Sequence, residues 1–210
     1  MQISWHGLGC FRLSGKPNGQ EVTVVTDPYQ NSVGLRFPRS LTASMTLVSH
    51  DAPGANNIEA IGGENEVPSF VVTYPGEYEV KGVFATGVAA ARSDGEHTIY
   101  RIDFEDMTVG FLGALDRTLT DDELSTLGSI DILLIPMGGG DVLGKTQAAD
   151  LVAEIEPRLV IPSYYHVDGL KEKREGVEAF CKELGCPRED VSKLKMTKNA
   201  LPVEGLRLIT

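Results

Sequence analysis

The feature that most constrains this chain is its succession of short apolar or β-branched runs bounded by Gly, Pro and Asn. They fall near 2–13, 21–26, 45–49, 69–73, 77–80, 83–88, 97–104, 107–112, 132–136, 159–162 and 206–209. Runs of this length and composition read as strands, and so many of them imply two sheets. Helix signals are fewer. Thr120-Asp121-Asp122-Glu123 has the form of a capping box ahead of a short helix to Leu127. The segment Thr146 to Ile155 is amphipathic, and Lys171 to Leu184 reads as a helix ending at Gly185. Strand-rich halves that each close with helices fit two sheets packed face to face and covered by helices outside, an α+β arrangement.

At 210 residues and 41% hydrophobic content the chain can bury one large core, and no linker-like stretch divides it, so the expectation is a single domain over residues 1–210. No run approaches the roughly 18 apolar residues that cross a bilayer. Met1 leads directly into a strand pattern without a basic flank, which points to a cytoplasmic protein with neither signal peptide nor anchor. The three cysteines, Cys10, Cys181 and Cys186, form no Cys-x-x-Cys pair and no disulfide framework. A net charge of -11 repels phosphate backbones, and Lys171, Lys173 and Arg174 alternate with Glu172 and Glu175 as on a solvated helix face. Nucleic acid and membrane are therefore excluded as expected partners.

The chemistry-bearing stretch is Leu47-Val48-Ser49-His50-Asp51-Ala52-Pro53-Gly54-Ala55-Asn56-Asn57, an apolar strand running into a turn. It resembles the Thr-His-x-His-x-Asp-His loop of the metallo-β-lactamase superfamily, and its closing Asn-Asn resembles the ascorbate-6-phosphate lactonase-like branch. Further landmarks follow in order. Trp5 to Phe11 resembles the family's first strand, Thr26-Asp27-Pro28 its Asp-Pro strand end, and Tyr74-Pro75-Gly76-Glu77-Tyr78-Glu79 the hairpin of the lactonase-like branch. At positions where the resemblance implies metal ligands, this chain carries Ala52, Gly54, Ala55, Arg92, Ala114 and Tyr164, with His50 retained and His166 two residues beyond Tyr164. A two-metal centre of this family takes about five histidines with aspartates. The chain has 4 histidines in all: His6, His50, His97 and His166.

The resemblance implies a four-layer αββα sandwich. It also sets an expectation about chemistry: a fold without its dinuclear centre, acting as a non-catalytic binding or assembly module and requiring no cofactor. The alternative is a weak or single-metal hydrolase of a lactone or phosphorylated small molecule, using His50, Asp51 and His166 with zinc or another divalent metal. His6, His50 and His166 are the weak metal candidates, and Arg92, Arg117, Asn56 and Tyr164 the ligand-binding ones. Arg92 and Arg117 are expected to pair with Asp51 and Asp116, either closing the old cleft or leaving an anion site there, since the guanidinium fork suits carboxylate and phosphate. Tyr164 and Tyr165 either plug the metal pocket with their rings or join His6 and His166 in a small polar site. Gly139 to Thr146 matches the phosphate-binding Gly-x-x-x-x-Gly-Lys-Thr pattern, a minor nucleotide-binding reading. A small anionic ligand and a second copy of the chain complete the expected partners.

Overall fold

The computed structural model describes residues 1–186, 188–203 and 205–210. Its strands are β1 Gln2–Trp5, β2 Phe11–Gly15, β3 Val22–Thr26, β4 Met45–Leu47, β5 Phe70–Val72, β6 Gly76–Val80, β7 Val83–Ala89, β8 Thr98–Phe104, β9 Met107–Phe111, β10 Ile132–Pro136, β11 Leu159–Ser163, β12 Arg188–Glu189, β13 Leu194–Lys195 and β14 Arg207–Ile209. The helices are α1 Asp121–Leu127, α2 Lys145–Ile155 and α3 Val177–Leu184. The strands form a 6-stranded sheet in the order β13-β1-β2-β3-β4-β5 and an 8-stranded sheet in the order β12-β14-β11-β10-β9-β8-β7-β6. The α+β sandwich expected from the strand pattern is what the chain adopts.

The sheets pack face to face because alternate strand residues are apolar. Phe11, Leu13, Val22, Val24, Met45 and Leu47 of the smaller sheet meet Tyr100, Ile102, Phe104, Val109, Phe111 and Leu134 of the larger one, all at or below 1% exposure. The outward face of the larger sheet carries Ile99, Leu133, Ile135 and Val160, which α2 and α3 cover with Ala148, Leu151, Val152 and Phe180. The predicted capping box of α1 forms: Thr120 accepts from the Glu123 amide while the Glu123 carboxylate accepts from the Thr120 amide. All three described α-helices lie against the larger sheet.

Three sequence expectations need adjustment. The single strand expected over 2–13 is two, because Gly7 (φ 112°) and Leu8 (φ 47°) turn the chain and the Cys10 amide bonds to the Gly7 carbonyl. The helix expected from Lys171 begins at Val177, since the Glu175 amide donates to Gly138 O and Arg174 to Gly139 O, holding 171–176 extended across the β10–α2 loop. Tertiary bonds here outweigh helix propensity. The strands β12 and β13 were too short and polar to register as runs.

What positions the site is strand direction. β3, β4 and β5 run parallel, as do β9, β10, β11 and β14, so the carboxyl ends of β3 and β4 share one rim and those of β9, β10 and β11 another. Antiparallel β8 returns its start to the end of β9, and the Thr98 amide there donates to Ser49 O beyond β4 (2.8 Å). The two rims are thereby one, which is where open sheets with parallel strands gather ligands.

Candidate active site at the strand-end rim

Asp27 ends β3 with φ 34° and is fully buried. Its Oδ1 accepts the Ser49 amide at 2.7 Å and its Oδ2 the Ser49 hydroxyl at 2.6 Å, tying the β3 end to the turn after β4. The same hydroxyl lies 2.9 Å from His50 Nδ1. With Asp27 ionised, the Ser49 proton is committed to the carboxylate, so Nδ1–H donates to Ser49 Oγ and Nε2 is left bare. With Asp27 protonated at Oδ2, it donates to Ser49 Oγ and the Ser49 hydroxyl donates to His50 Nδ1, while the Ser49 amide still donates to Oδ1. Burial pushes the Asp27 carboxyl up to about 8, against the lowering pull of the two Ser49 bonds and the Arg92 charge. Ser49 sits opposite Gly113, where an added Cβ would overlap both its hydroxyl and His97 Nε2.

His97 is the residue that sequence reasoning passed over. It precedes β8, is 3% exposed, and its ring centroid lies 5.8 Å from that of His50. Neither of its ring nitrogens has a hydrogen-bond partner. Burial holds its pKa down to about 3, and burial together with Arg92 holds His50 down to about 4, so both rings are neutral at pH 7. A signal existed in the sequence, since His97 heads a strand run whose Ile99, Ile102 and Phe104 are apolar, and a histidine at the mouth of such a run stands at a strand end. Other buried polar atoms on the rim also lack partners: Asp116 Oδ1, Ser163 Oγ and Tyr164 hydroxyl. Native interiors satisfy nearly all such atoms, so their concentration here marks a site rather than a core.

The other predicted residues divide into those that reach this site and those that do not. Arg92 reaches it: its side chain is 4% exposed, it donates to Ala114 O, and its Nε donates to Asp94 at 2.9 Å. The expected pairing with Asp51 or Asp116 does not occur. Asp51 is exposed and accepts from Asn56 Nδ2 at 2.7 Å, and Asp116 accepts from the Ser93 amide and hydroxyl. The Asn56 amide is spent bracing its own loop, because its Oδ1 also accepts from Gln30. Arg117 turns outward to a bidentate pair with Glu123 (2.6 and 2.9 Å) and to Ala91 O. His166 does not join His50: its side chain is 56% exposed and its nearest acid is Asp168 at 3.9 Å. His6 bonds Ser4 and belongs to the β1–β2 turn. Tyr164, at φ 55°, is buried with its ring beneath Arg174, and its hydroxyl and Asp27 Oδ2 both face Gly9. Tyr165 instead stacks on Trp5 at 4.6 Å, so the two tyrosines do not act together.

The phosphate-loop pattern has a different use. The Gly139 amide bonds Leu143 O, the Leu143 amide bonds Leu115 O, and Lys145 pairs with Glu175 at 3.4 Å. Arg174 fills the loop through Gly139 O and Asp141. Two loop amides and the lysine are therefore engaged within the protein.

The fold's metal chemistry can be tested on this donor set. Among the described residues no group of three or more His, Cys, Asp or Glu side chains converges on one point. A dinuclear centre does not fit. His50 and His97 place two neutral imidazoles side by side, and among the described residues both ring nitrogens of His97 lack partners, so that its acceptor nitrogen has a lone pair available to an ion.

Known proteins bear on the same question. A family model described as the beta-lactamase superfamily domain matches residues 2–164. A UPF0173 protein of Pyrococcus abyssi is 24% identical over 99% of this chain and 100% of its own length. A UPF0173 metal-dependent hydrolase of Thermoplasma acidophilum is 24% identical over 88% of this chain and 92% of its own. A solved structure from Thermotoga maritima, described as a candidate Zn-dependent hydrolase of the metallo-β-lactamase superfamily, superposes with a TM-score of 0.81 at 29% identity, covering 99% and 97% of the two chains. The Thermoplasma and Thermotoga proteins are named as metal-dependent and Zn-dependent hydrolases, and that overturns the expectation of a non-catalytic binding or assembly module without a cofactor. No described helix is long and apolar enough to cross a membrane. Sheet architecture, the rim at the strand ends and the match over most of its length together make this chain a member of the metallo-β-lactamase superfamily.

Proposed function

We propose that the chain is a hydrolase of a lactone or phosphorylated small molecule, working at the His50–His97 rim with a single divalent metal. The observation that carries this reading is the buried, wholly unpartnered imidazole of His97 beside His50. Relatives named as metal-dependent hydrolases support it. The Pro75-Gly76-Glu77-Tyr78-Glu79 hairpin favours the lactonase-like branch.

His50 and His97 would hold the ion, which when bound supplies a Lewis acid and a water acidified toward neutral pH. Asp27 and Ser49 fix the ring of His50 through Nδ1; because burial holds the Asp27 carboxyl up to about 8, the Nε2 lone pair is freed only when Asp27 gives up its proton, a loss that the positive charge of a bound ion favours. Leu8, Val142 and Tyr164 are buried in one cluster, with Tyr164 beside Asp27 at Gly9, and supply apolar surface on that side of the rim. Arg92 sets a fixed positive charge beside the reacting groups, close enough to lower His50, His97 and Asp116 alike. Such a charge favours the developing oxyanion of an acyl or phosphoryl transfer. Two imidazoles hold an ion more weakly than the three protein ligands of ordinary catalytic zinc sites, so supplied metal should matter.

The test is elemental analysis of protein purified with added zinc, followed by thermal melts and by turnover on simple lactones and phosphate monoesters. The reading expects up to one ion per chain and a melt shift lost in both His50→Ala and His97→Ala. Turnover that needs no metal and survives His97→Ala would overturn it.

A further inference from the structure

Arg92 and Asp94 form an unequal pair. The Arg92 side chain is 4% exposed, whereas that of Asp94 is 68% exposed. Asp94 stands at the tip of a tight turn closed by mutual Arg92–Gly95 backbone bonds, and from there its two oxygens reach Arg92 Nε at 2.9 Å and NH2 at 3.2 Å. A buried guanidinium left without a partner is costly, while an exposed carboxylate returns to water at little cost. The fork therefore keeps an anion, but the one it holds is the easiest to exchange. The nearby carboxylate of Asp116 feels the Arg92 charge but makes no bond to the fork: its Oδ2 takes the Ser93 amide and hydroxyl and, among the described residues, its Oδ1 is left without a partner.

We propose that Asp94 is a built-in stand-in for the ligand, and that the Arg92 fork accepts an anionic group of the substrate, a phosphate monoester or a carboxylate, when Asp94 swings into solvent. This deepens the hydrolase reading and rests on it for the word substrate; the binding itself does not. Asp94 acts by charge on His50 from where it stands, so an anion that replaces it in the fork stays within electrostatic reach of that ring. Its planar donors match two oxygens of either group. Asp94 then acts as an internal competitor, so the apparent affinity of any anion is lowered by the fraction of time the pair is open.

The experiment titrates the full chain with inorganic phosphate and, separately, acetate, by calorimetry and thermal melts in chelator-containing buffer, so that neither metal nor turnover enters. Asp94→Asn should bind about tenfold more tightly than the parent, since the competing charge is removed. Arg92→Lys should lose the binding in both backgrounds, because an ammonium lacks the fork. Phosphate favoured over acetate would point to a phosphorylated ligand, and the reverse to a carboxylate. Equal affinities in parent and Asp94→Asn, or binding retained in Arg92→Lys, would overturn the proposal. Asp94→Asn keeps an amide oxygen for the Arg92 fork, and Arg92 also keeps its bond to Ala114 O, so this variant retains the fold and decides the matter even if Arg92→Lys does not fold.

Discussion

The space between the two sheets and the rim at their strand ends both bury side-chain atoms, yet they are built on opposite terms. Between the sheets Phe11, Tyr100 and Phe111 pack in edge and stacked contacts with Leu13, Val24, Met45 and Leu134, and the Tyr100 hydroxyl finds Val48 O at 2.8 Å. At the rim, within a few residues of strand ends, lie His97, Asp116, Ser163 and Tyr164 with unpartnered buried atoms, and Leu8, Asp27 and Tyr164 hold positive φ. The first region spends its burial on stability. The second gives up stability to keep polar groups unsatisfied, as functional sites do.

That contrast breaks most sharply in the core. Phe111→Ala, at 0% exposure between the sheets, should cost about 3–5 kcal/mol, read by chemical denaturation; a loss below that range would mean the sheets repack freely. Next comes the link between regions: Ser49→Ala removes the hydroxyl between Asp27 and His50 and should cost about 1–3 kcal/mol, together with turnover, while leaving the core intact. An unchanged midpoint would show that the Asp27–Ser49–His50 chain carries no energy.

A third prediction concerns pH. In metal-free buffer the two rim histidines have folded values near 4 and 3, below the ordinary 6.5, so the unfolded chain takes up protons first. Their contribution to stability is complete above pH 6.5 and is lost as the pH falls toward 4. His97→Gln should flatten this acid limb, and melts at pH 7 and pH 5 compare the two proteins directly; identical limbs would place the acid lability elsewhere. Tyr164→Phe tests the unsatisfied hydroxyl. Removing a buried atom without a partner should be neutral or stabilising by up to about 1 kcal/mol, and a large loss would reveal a partner for that hydroxyl. The smallest effect belongs to His166→Gln, which should change stability by less than about 0.5 kcal/mol and leave metal binding unmoved, because its side chain is over half exposed and lies away from His50.

Much of this was legible in the chain. The strand runs near 21–26, 83–88, 97–104, 107–112 and 132–136 became β3, β7, β8, β9 and β10 with boundaries shifted by a residue or two, because alternation and β-branched composition are local properties. His50 and Arg92 were singled out, and the Arg92 charge acts on the His50 ring. Asp51, Asn56, Arg117 and His166 were also singled out, but their side chains turn to nearby loop partners, a choice made by short-range geometry that spacing does not encode. His97 was missed because it lies 47 positions after His50, and only the return of β8 beside the end of β9 brings the two rings together.

The sequence by itself determined the layers. Periodicity decided which face of each strand is buried, and Thr120 with Glu123 decided where α1 begins, since each of these depends on residues a few positions apart. It also fixed the inventory of chemistry, with 4 histidines and Arg92 where a ligand was expected. Only the tertiary structure decided which of those groups face one another. That His97 stands unpartnered beside His50, that Asp27 reaches it through Ser49, and that Arg92 is held by an exposed Asp94 all follow from strands distant in sequence ending on one rim, where burial and charge act across space and not along the chain.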